Sequence, residues 1–330
     1  MGPHRNRYLF NYLCIRKTFK PWEARLIISM KNFLLIFCVL ALLVSCKRKN
    51  KANAVKETRT SGTLKILVDE SVGPIVQDQI DIFSLDYPDA KFQTTVKPEE
   101  KLLPAFLNDS VRVIVLPRLL TKAEEKYYNQ RNIKINSSRF AIDGIALITN
   151  QGNIDSTINV KEVIDILQGK KSDKKLVFDN AYSSTFQYFK ELAHISQFPA
   201  TGVYSKNSSK EVIKLIAEDK DFIGILGVNW ITDKDTEMSE YLSQIKVLGV
   251  KNVKGKVGDD QFYKPTQDNL INGVYPFLRN INIIDCEGRD GLGTGFATWL
   301  RSQRGQLIVL KSGLGPHKLM PRQINLTKGN

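Results

Sequence analysis

Lys175-Leu-Val-Phe-Asp-Asn-Ala-Tyr-Ser-Ser-Thr-Phe-Gln-Tyr-Phe189 reads as a strand, a tight loop and the first turns of a helix. Leu176-Val177-Phe178 is a short apolar run of the kind a sheet buries, residues 179–184 carry turn formers, and from Thr185 the apolar residues recur at helical spacing. Ser183, Ser184 and Thr185 set hydroxyls where the first N–H groups of a helix lack backbone partners. Such a loop can be an ordinary N-cap, or a cradle of neutral donors and a positive dipole end for a small anion. The stretch alone leaves both open.

The same strand, loop and helix order recurs on either side. Residues 63–68 alternate and are rich in β-branched side chains, residues 69–74 form a loop containing Ser71, and residues 75–87 carry an apolar helical face. Residues 91–96 and 112–117 are further strands, the second stopping at Pro117. Arg118 follows, and Thr121 with Glu124 has the spacing of a capping box. Residues 134–149 give a longer strand interrupted at Asp143-Gly144. Helices are expected over 160–167, from Thr185 to about residue 194, over 211–217, and as one piece over 294–310. Strands are expected over 222–228, 245–250 and 281–284, and the tail after Gly313 is expected to loop out. This alternation predicts an α/β fold with a largely parallel sheet.

The chain has 330 residues, room for two domains, and a formal net charge of +14. Much of that charge flanks one apolar run, Asn32-Phe-Leu-Leu-Ile-Phe-Cys-Val-Leu-Ala-Leu-Leu-Val-Ser-Cys46, which is short for a membrane span and suited to a signal peptide. Met30-Lys31 makes a compact start, so residues 1–29 read as a dispensable or misassigned extension and residues 30–45 as the signal peptide. Leu43-Val44-Ser45-Cys46 resembles a bacterial lipobox, which would make Cys46 the acylated first residue of the mature chain. Residues 46–62 are polar and basic without periodicity, a tether. Lys47 after the Cys resembles outer-membrane sorting. Cys14 and Cys38 precede the cleavage point, so Cys286 is left alone and no intrachain disulfide or Cys-based metal site is available.

In this order, Phe140-Ala-Ile-Asp-Gly-Ile-Ala-Leu-Ile-Thr-Asn150, the helix end Ile166-Leu-Gln-Gly-Lys170, the Ser-Ser-Thr loop, Phe222-Ile-Gly-Ile225, Tyr275-Pro-Phe-Leu-Arg-Asn280 and Gly295-Phe-Ala-Thr-Trp-Leu-Arg-Ser-Gln-Arg-Gly-Gln306 resemble the phosphate-binding proteins of ABC phosphate transporters. The resemblance runs over residues 62–320. It implies a type 2 periplasmic binding fold: two lobes, 63–146 with 246–330 and 147–245, joined by two crossing segments around a closing cleft. It also implies an extracytoplasmic, monomeric solute-binding protein that holds phosphate or a close oxyanion and meets ABC permease subunits, with no cofactor, no metal and no enzymatic activity. By position, the resemblance carries phosphate contacts to Ser71, Asp143, Ser183, Ser184 and Thr185. The family writes the last loop Arg-Ser-Asp-Gly-Ser-Gly-Thr. Here Asp179 stands for the Arg, and Tyr182 and Ser184 stand for the two glycines.

Another cation must then balance the anion. Arg118 with Thr121, at a strand end and a helix start, is the expected source, although a solvated surface Arg118 fits the sequence equally; Arg139 is a lesser candidate. Asp179 reads as a cap for the loop that follows it. Gly291-Leu-Gly-Thr-Gly295 has no acidic partner at the distance a dinucleotide site needs and reads as a helix cap. His4, His194 and His317 are too scattered for a zinc site, Glu99-Glu100 and Glu124-Glu125 read as solvated helix faces, and the basic balance without its leader gives no nucleic-acid footprint. Two other readings remain: an envelope sensor or interaction subunit of this fold that has lost phosphate, motivated by Asp179, and a hydrolase using a loop serine, for which no base is placed.

Overall fold

The computed structural model describes residues 57–232 and 237–318. The extension, the signal peptide, Cys46 and most of the expected tether lie outside the described residues. Of the expected tether, residues 57–61 make a turn closed by a Thr58–Ser61 bridge, and Gly62, its expected last residue, begins β1.

In chain order the strands are β1 Gly62–Asp69, β2 Ala90–Lys97, β3 Val113–Leu116, β4 Asn136–Asn150, β5 Thr157–Asn159, β6 Lys175–Phe178, β7 Val203–Ser205, β8 Phe222–Gly227, β9 Ile245–Val247, β10 Gly249–Lys251, β11 Leu278–Asp285 and β12 Gly315–Pro316. The helices are α1 Gly73–Asp86, α2 Glu99–Leu107, α3 Lys122–Asn129, α4 Val160–Leu167, α5 Ser184–Leu192, α6 Ser209–Glu218, α7 Asn229–Thr232, α8 Ser239–Ser243, α9 Gln267–Ile271, α10 Leu292–Leu300 and α11 Gln303–Lys311. Strand, loop and helix alternate as the periodicity predicts, and the fold is α/β.

The main sheet runs β2-β1-β3-β11-β4-β8-β6-β7. β1 pairs in parallel with β2 and β3, and β6 pairs in parallel with β7 and β8. Two long strands join these parallel halves: β11 runs opposite to β1 and β3, and β4 runs opposite to β6 and β8. β11 pairs antiparallel with β3 and with the first part of β4, up to Leu278 against Gly144. From Ile145 onward β4 pairs with β8 and then β9. The break expected at Asp143-Gly144 is therefore a change of partner within one continuous strand. β9 pairs with the second part of β4, the buried Tyr275 and Phe277 pack in the cluster of the β6–β8 half, and strand pairing with the first part of β4 resumes at Leu278.

Apolar burial follows this division. One cluster packs α1, α10 and α11 on β1, β3 and β11, with Phe83 edge-on to Phe296 and Trp299, and continues through Ala146, Ile148 and Leu226 of the other half. Phe178, Phe189 and Phe277 centre a second cluster, and Phe106 and Tyr128 a third. Removing Phe83 would cost about 3–5 kcal/mol by the usual scale for a large buried aromatic.

Two local expectations change. The helix over 294–310 is two helices, because Ser302 caps α11 by accepting from the Gly305 N–H at 3.3 Å. A Cβ on Gly305 would lie 2.4 Å from the Trp299 carbonyl oxygen, so the break needs glycine. The tail does not simply loop out: Gly315–Pro316 pairs with β4 at Ile142 and Ala141, and the His317 N–H donates to Gln306 at 2.6 Å. No described helix is long and apolar enough to cross a membrane.

Candidate functional site

Strands β1 and β6 both end at the place where β4 and β11 cross between the halves, and the loops after them carry the hydroxyls. Asp69 closes β1 and caps a single 3-10 turn, Glu70–Val72, that holds Ser71. Asp179 follows β6 and begins the loop into α5. Loops beyond the carboxyl ends of parallel strands are where open α/β sheets place ligands.

Arg279, on β11, lies in register with Asp143 on β4. Both side chains are almost wholly buried, at 3% and 0% exposure. The Arg279 Nε donates to Asp143 Oδ2 at 2.8 Å, and Nη1 donates to Thr185 Oγ1 at 3.1 Å and reaches Ser184 Oγ at 3.5 Å. Nη2 sits 2.8 Å from the same Asp143 oxygen without a directed hydrogen bond, so a buried guanidinium N–H is left over. This is the cation at the hydroxyl loop, and the sequence reading overlooked it. A single Arg in the apolar run Leu278-Arg-Asn-Ile-Asn-Ile-Ile284 was the available signal, because a buried Arg in a strand requires a partner.

The hydroxyls meet across the two halves. Ser71 Oγ and Ser184 Oγ are 3.0 Å apart, and both donate to Asp69 Oδ1, Ser184 at 2.9 Å. The Ser71 N–H also donates to that oxygen at 3.0 Å, and the Ser71 carbonyl accepts from Asn229 Nδ2 at 2.8 Å. Asp69 Oδ2 is buried without a partner. A Cβ on Gly227, at the end of β8, would stand 2.6 Å from Arg279 Nη2 and 2.7 Å from Asn229 Nδ2; only a glycine lets the guanidinium lie there.

Of the expected contacts, the structure brings Ser71, Asp143, Ser184 and Thr185 together around Arg279. Ser183 is otherwise engaged: its hydroxyl accepts from the Phe186 N–H as the N-cap of α5 and donates to Asp179 Oδ1 at 2.6 Å and to the Asn180 carbonyl at 2.9 Å. Asp179 also accepts from the Asn180 N–H at 2.9 Å, the loop-capping role its position suggests.

Arg118 does not face the cluster. It pairs with Glu99 at 2.6 Å and Glu124 at 2.8 Å, and two carboxylates leave it no unbalanced charge for an anion. Thr121 and Glu124 form the capping box of α3, as expected. Glu99 is buried beside Arg118 and is not a solvated face. Arg118, Thr121 and Ser183 instead line a neighbouring pocket of about 280 Å³ together with Tyr182 and Phe186. Arg139 lies away from the hydroxyls, with Nη1 3.2 Å from Asn280 Oδ1.

The cluster gathers three carboxyl groups and one guanidinium. Burial pushes the carboxyls of Asp69 and Asp143 above their ordinary range, against the pull of the Ser71 hydroxyl and Arg279 respectively, and burial brings Asp179 to about 6. Such a site offers N–H and O–H donors next to carboxyl oxygens that accept. It can hold a small anion that accepts from the guanidinium and the hydroxyls and carries a proton of its own.

Residues 53–304 match the family model of the PBP superfamily domain. Among solved structures, the fold is similar to a Clostridium perfringens protein assigned as a phosphate ABC transporter substrate-binding protein, solved with bound phosphate. The two are 19% identical with a TM-score of 0.64 over 78% of this chain and 100% of that one. It is also similar to an ABC-type phosphate transport receptor from Vibrio cholerae, at 16% identity and a TM-score of 0.58 over 77% and 100%. No curated protein matches the chain.

Proposed function

The chain belongs to the PBP superfamily domain family, and from that premise we propose that it is an extracytoplasmic solute-binding protein that captures inorganic phosphate, or a close protonated oxyanion, for an ABC importer. The observation that carries this reading is Arg279, held by Asp143 at the strand crossing, with Nη1 on Thr185 and Ser184 at the start of α5. An oxyanion seated there accepts from the guanidinium and the hydroxyls and gives its proton to a carboxyl oxygen such as the unpartnered Oδ2 of Asp69. Sulfate has no proton to give near neutral pH and would face the carboxylates directly. The two halves act as lobes, 63–146 with 278–318 and 147–277, that close on the ligand; contacts such as the Glu100 N–H to the Tyr182 carbonyl at 3.3 Å hold the closed form. The lipobox-like Cys46 and the basic residues after it support a monomer tethered by lipid to the periplasmic side of a membrane, the outer one in this reading, from which it delivers its solute to permease subunits.

A second reading rests on Asp69. Its carboxyl oxygen already takes the Ser71 N–H and the Ser71 and Ser184 hydroxyls, the donors an oxyanion needs. The cleft would then be filled by its own carboxylate, and the protein would act as a sensor or interaction subunit without phosphate.

Thermal unfolding of a chain starting at Val55, with phosphate, arsenate, sulfate and nitrate in turn, separates the two. A ligand at about 100 times its Kd raises stability by about 2.7 kcal/mol. Phosphate and arsenate raise the midpoint under the first reading. No response to any of the four, with a response gained in Asp69→Asn, supports the second.

A further inference from the structure

On the first half of the molecule, away from the hydroxyl cluster, an open groove of about 950 Å³ runs between β11, α10 and the residues just before β1. It gathers six cations, Arg59, Lys134, Arg139, Arg289, Arg301 and Lys318, of which all but Arg139 line it directly. Arg59 is paired with Asp290 and Arg289 with Glu57 and Glu287. Among the described residues, Lys134, Arg301 and Lys318 have no carboxylate partner, and the Arg139 guanidinium meets only the neutral groups of Asn280 and His317. His317 reports the field: burial, followed by Arg139, Arg301 and Lys318, holds its imidazole below the ordinary range. Asp285 is buried and occupied by the Thr294 hydroxyl and the Glu287 N–H. Ser138, Thr298 and Ser302 add hydroxyls along the groove.

The first described residues of the chain, 57–59, also lie at the groove. Glu57 and Arg59 form its rim through Arg289 and Asp290, and the eleven residues from Cys46 to Glu57 reach at most about 40 Å.

We propose that this basic groove is a membrane-docking surface that takes the phosphate headgroups of anionic phospholipids, so that the face carrying the tether lies on the bilayer. Lys47, Arg48, Lys49 and Lys51 extend the same charge along the tether. Each cation near an anionic leaflet adds attraction that decays over a Debye length, so several acting together give salt-sensitive binding. The orientation rests on the lipid-anchor reading, whereas the headgroup contact does not.

Residues 55–330 form one unit, so a chain starting at Val55 tests the groove without acyl chains or tether lysines. Its co-sedimentation with vesicles of phosphatidylcholine containing 30% phosphatidylglycerol is compared with that of Lys134→Glu/Arg301→Glu and of Lys171→Glu, a lysine of the other half. The groove variant is expected to lose at least about tenfold in vesicle affinity, Lys171→Glu to stay within about twofold, and vesicles of phosphatidylcholine alone to bind none of them. Equal binding by the parent and the groove variant, or no binding of the parent to anionic vesicles in low salt, overturns the proposal. Unfolding midpoints with phosphate, read on the same samples, report the cleft separately, and mass spectrometry of Cys46 in the membrane fraction reports the anchor.

Discussion

Replacing Arg279 by Ala strikes stability and binding by separable amounts. The substitution strands Asp143, which is wholly buried and whose ion-pair partner among the described residues is Arg279. Removing one member of a buried pair costs about 3–5 kcal/mol, because the remaining charge has neither water nor a partner. For a body of this size each kcal/mol moves the unfolding midpoint by about 2–4 °C, so a fall on the order of 10 °C is expected. Burial already favours the protonated form of Asp143, and proton uptake will soften the fall at acid pH. Binding loses the guanidinium, whose Nη1 holds the Thr185 and Ser184 hydroxyls in place and whose Nη2 carries the spare N–H. At about 1.5–3 kcal/mol for a charge-assisted hydrogen bond, phosphate affinity should drop about 100-fold or more. The double variant Asp143→Asn/Arg279→Gln keeps the shape and removes both charges. It should recover most of the stability and none of the affinity. Calorimetric unfolding and phosphate titration on the three proteins check this. Phosphate affinity unchanged in Arg279→Ala, or restored in the double variant, would refute the assignment of Arg279 as the anion's cation.

Three further outcomes follow from the same geometry. Gly227→Ala places a methyl 2.6 Å from Arg279 Nη2 and 2.9 Å from the Ser71 carbonyl oxygen, so it should destabilise by about 1–3 kcal/mol and weaken phosphate at least tenfold; wild-type affinity would mean that the guanidinium need not lie there. Arg118→Ala should leave phosphate affinity within about twofold while lowering the midpoint, since Arg118 serves Glu99 and Glu124; Ser184→Ala should do the reverse. Burial above all, then neighbouring carboxylates, brings Glu70 to about 7, and burial, offset in part by Arg118, brings Glu99 to about 7. A carboxyl with a higher pKa folded than unfolded holds its proton more tightly in the folded state, so stability falls as pH rises from the ordinary carboxylate range to about 7. The ligand-free midpoint should therefore be higher at pH 5.5 than at pH 8, with a smaller difference in Glu99→Gln; a midpoint that rises with pH would show that these carboxyls are not desolvated.

What the sequence disclosed was local. The strand, loop and helix around Asp179, the Thr121 capping box and the hydroxyls after β6 each depend on residues within a few positions of one another. Period and cap chemistry suffice for them. Arg279 needed more. Its partner Asp143 is 136 positions away and its hydroxyl contacts about 95, so its role appears only once two antiparallel strands have set their register. Asp69 was hidden for the same reason, since the hydroxyl of Ser184 reaches it from 115 positions on. Arg118 looked available because its charge was visible in sequence while its neutralisation was not: Glu124 lies six residues ahead, but Glu99 arrives through the packing of α2 against α3. The break between α10 and α11 was concealed by an apolar pattern that runs through it, with Ser302 and Gly305 as the only local marks.

The central claim is that the Arg279 cluster binds an oxyanion that brings its own proton. Isothermal titration of the chain starting at Val55 with phosphate and with sulfate, at pH 7 and low salt, tests it most directly. Saturable heat with phosphate at a stoichiometry near one, and none with sulfate, is the predicted result. No heat with phosphate, or equal binding of sulfate, would contradict it.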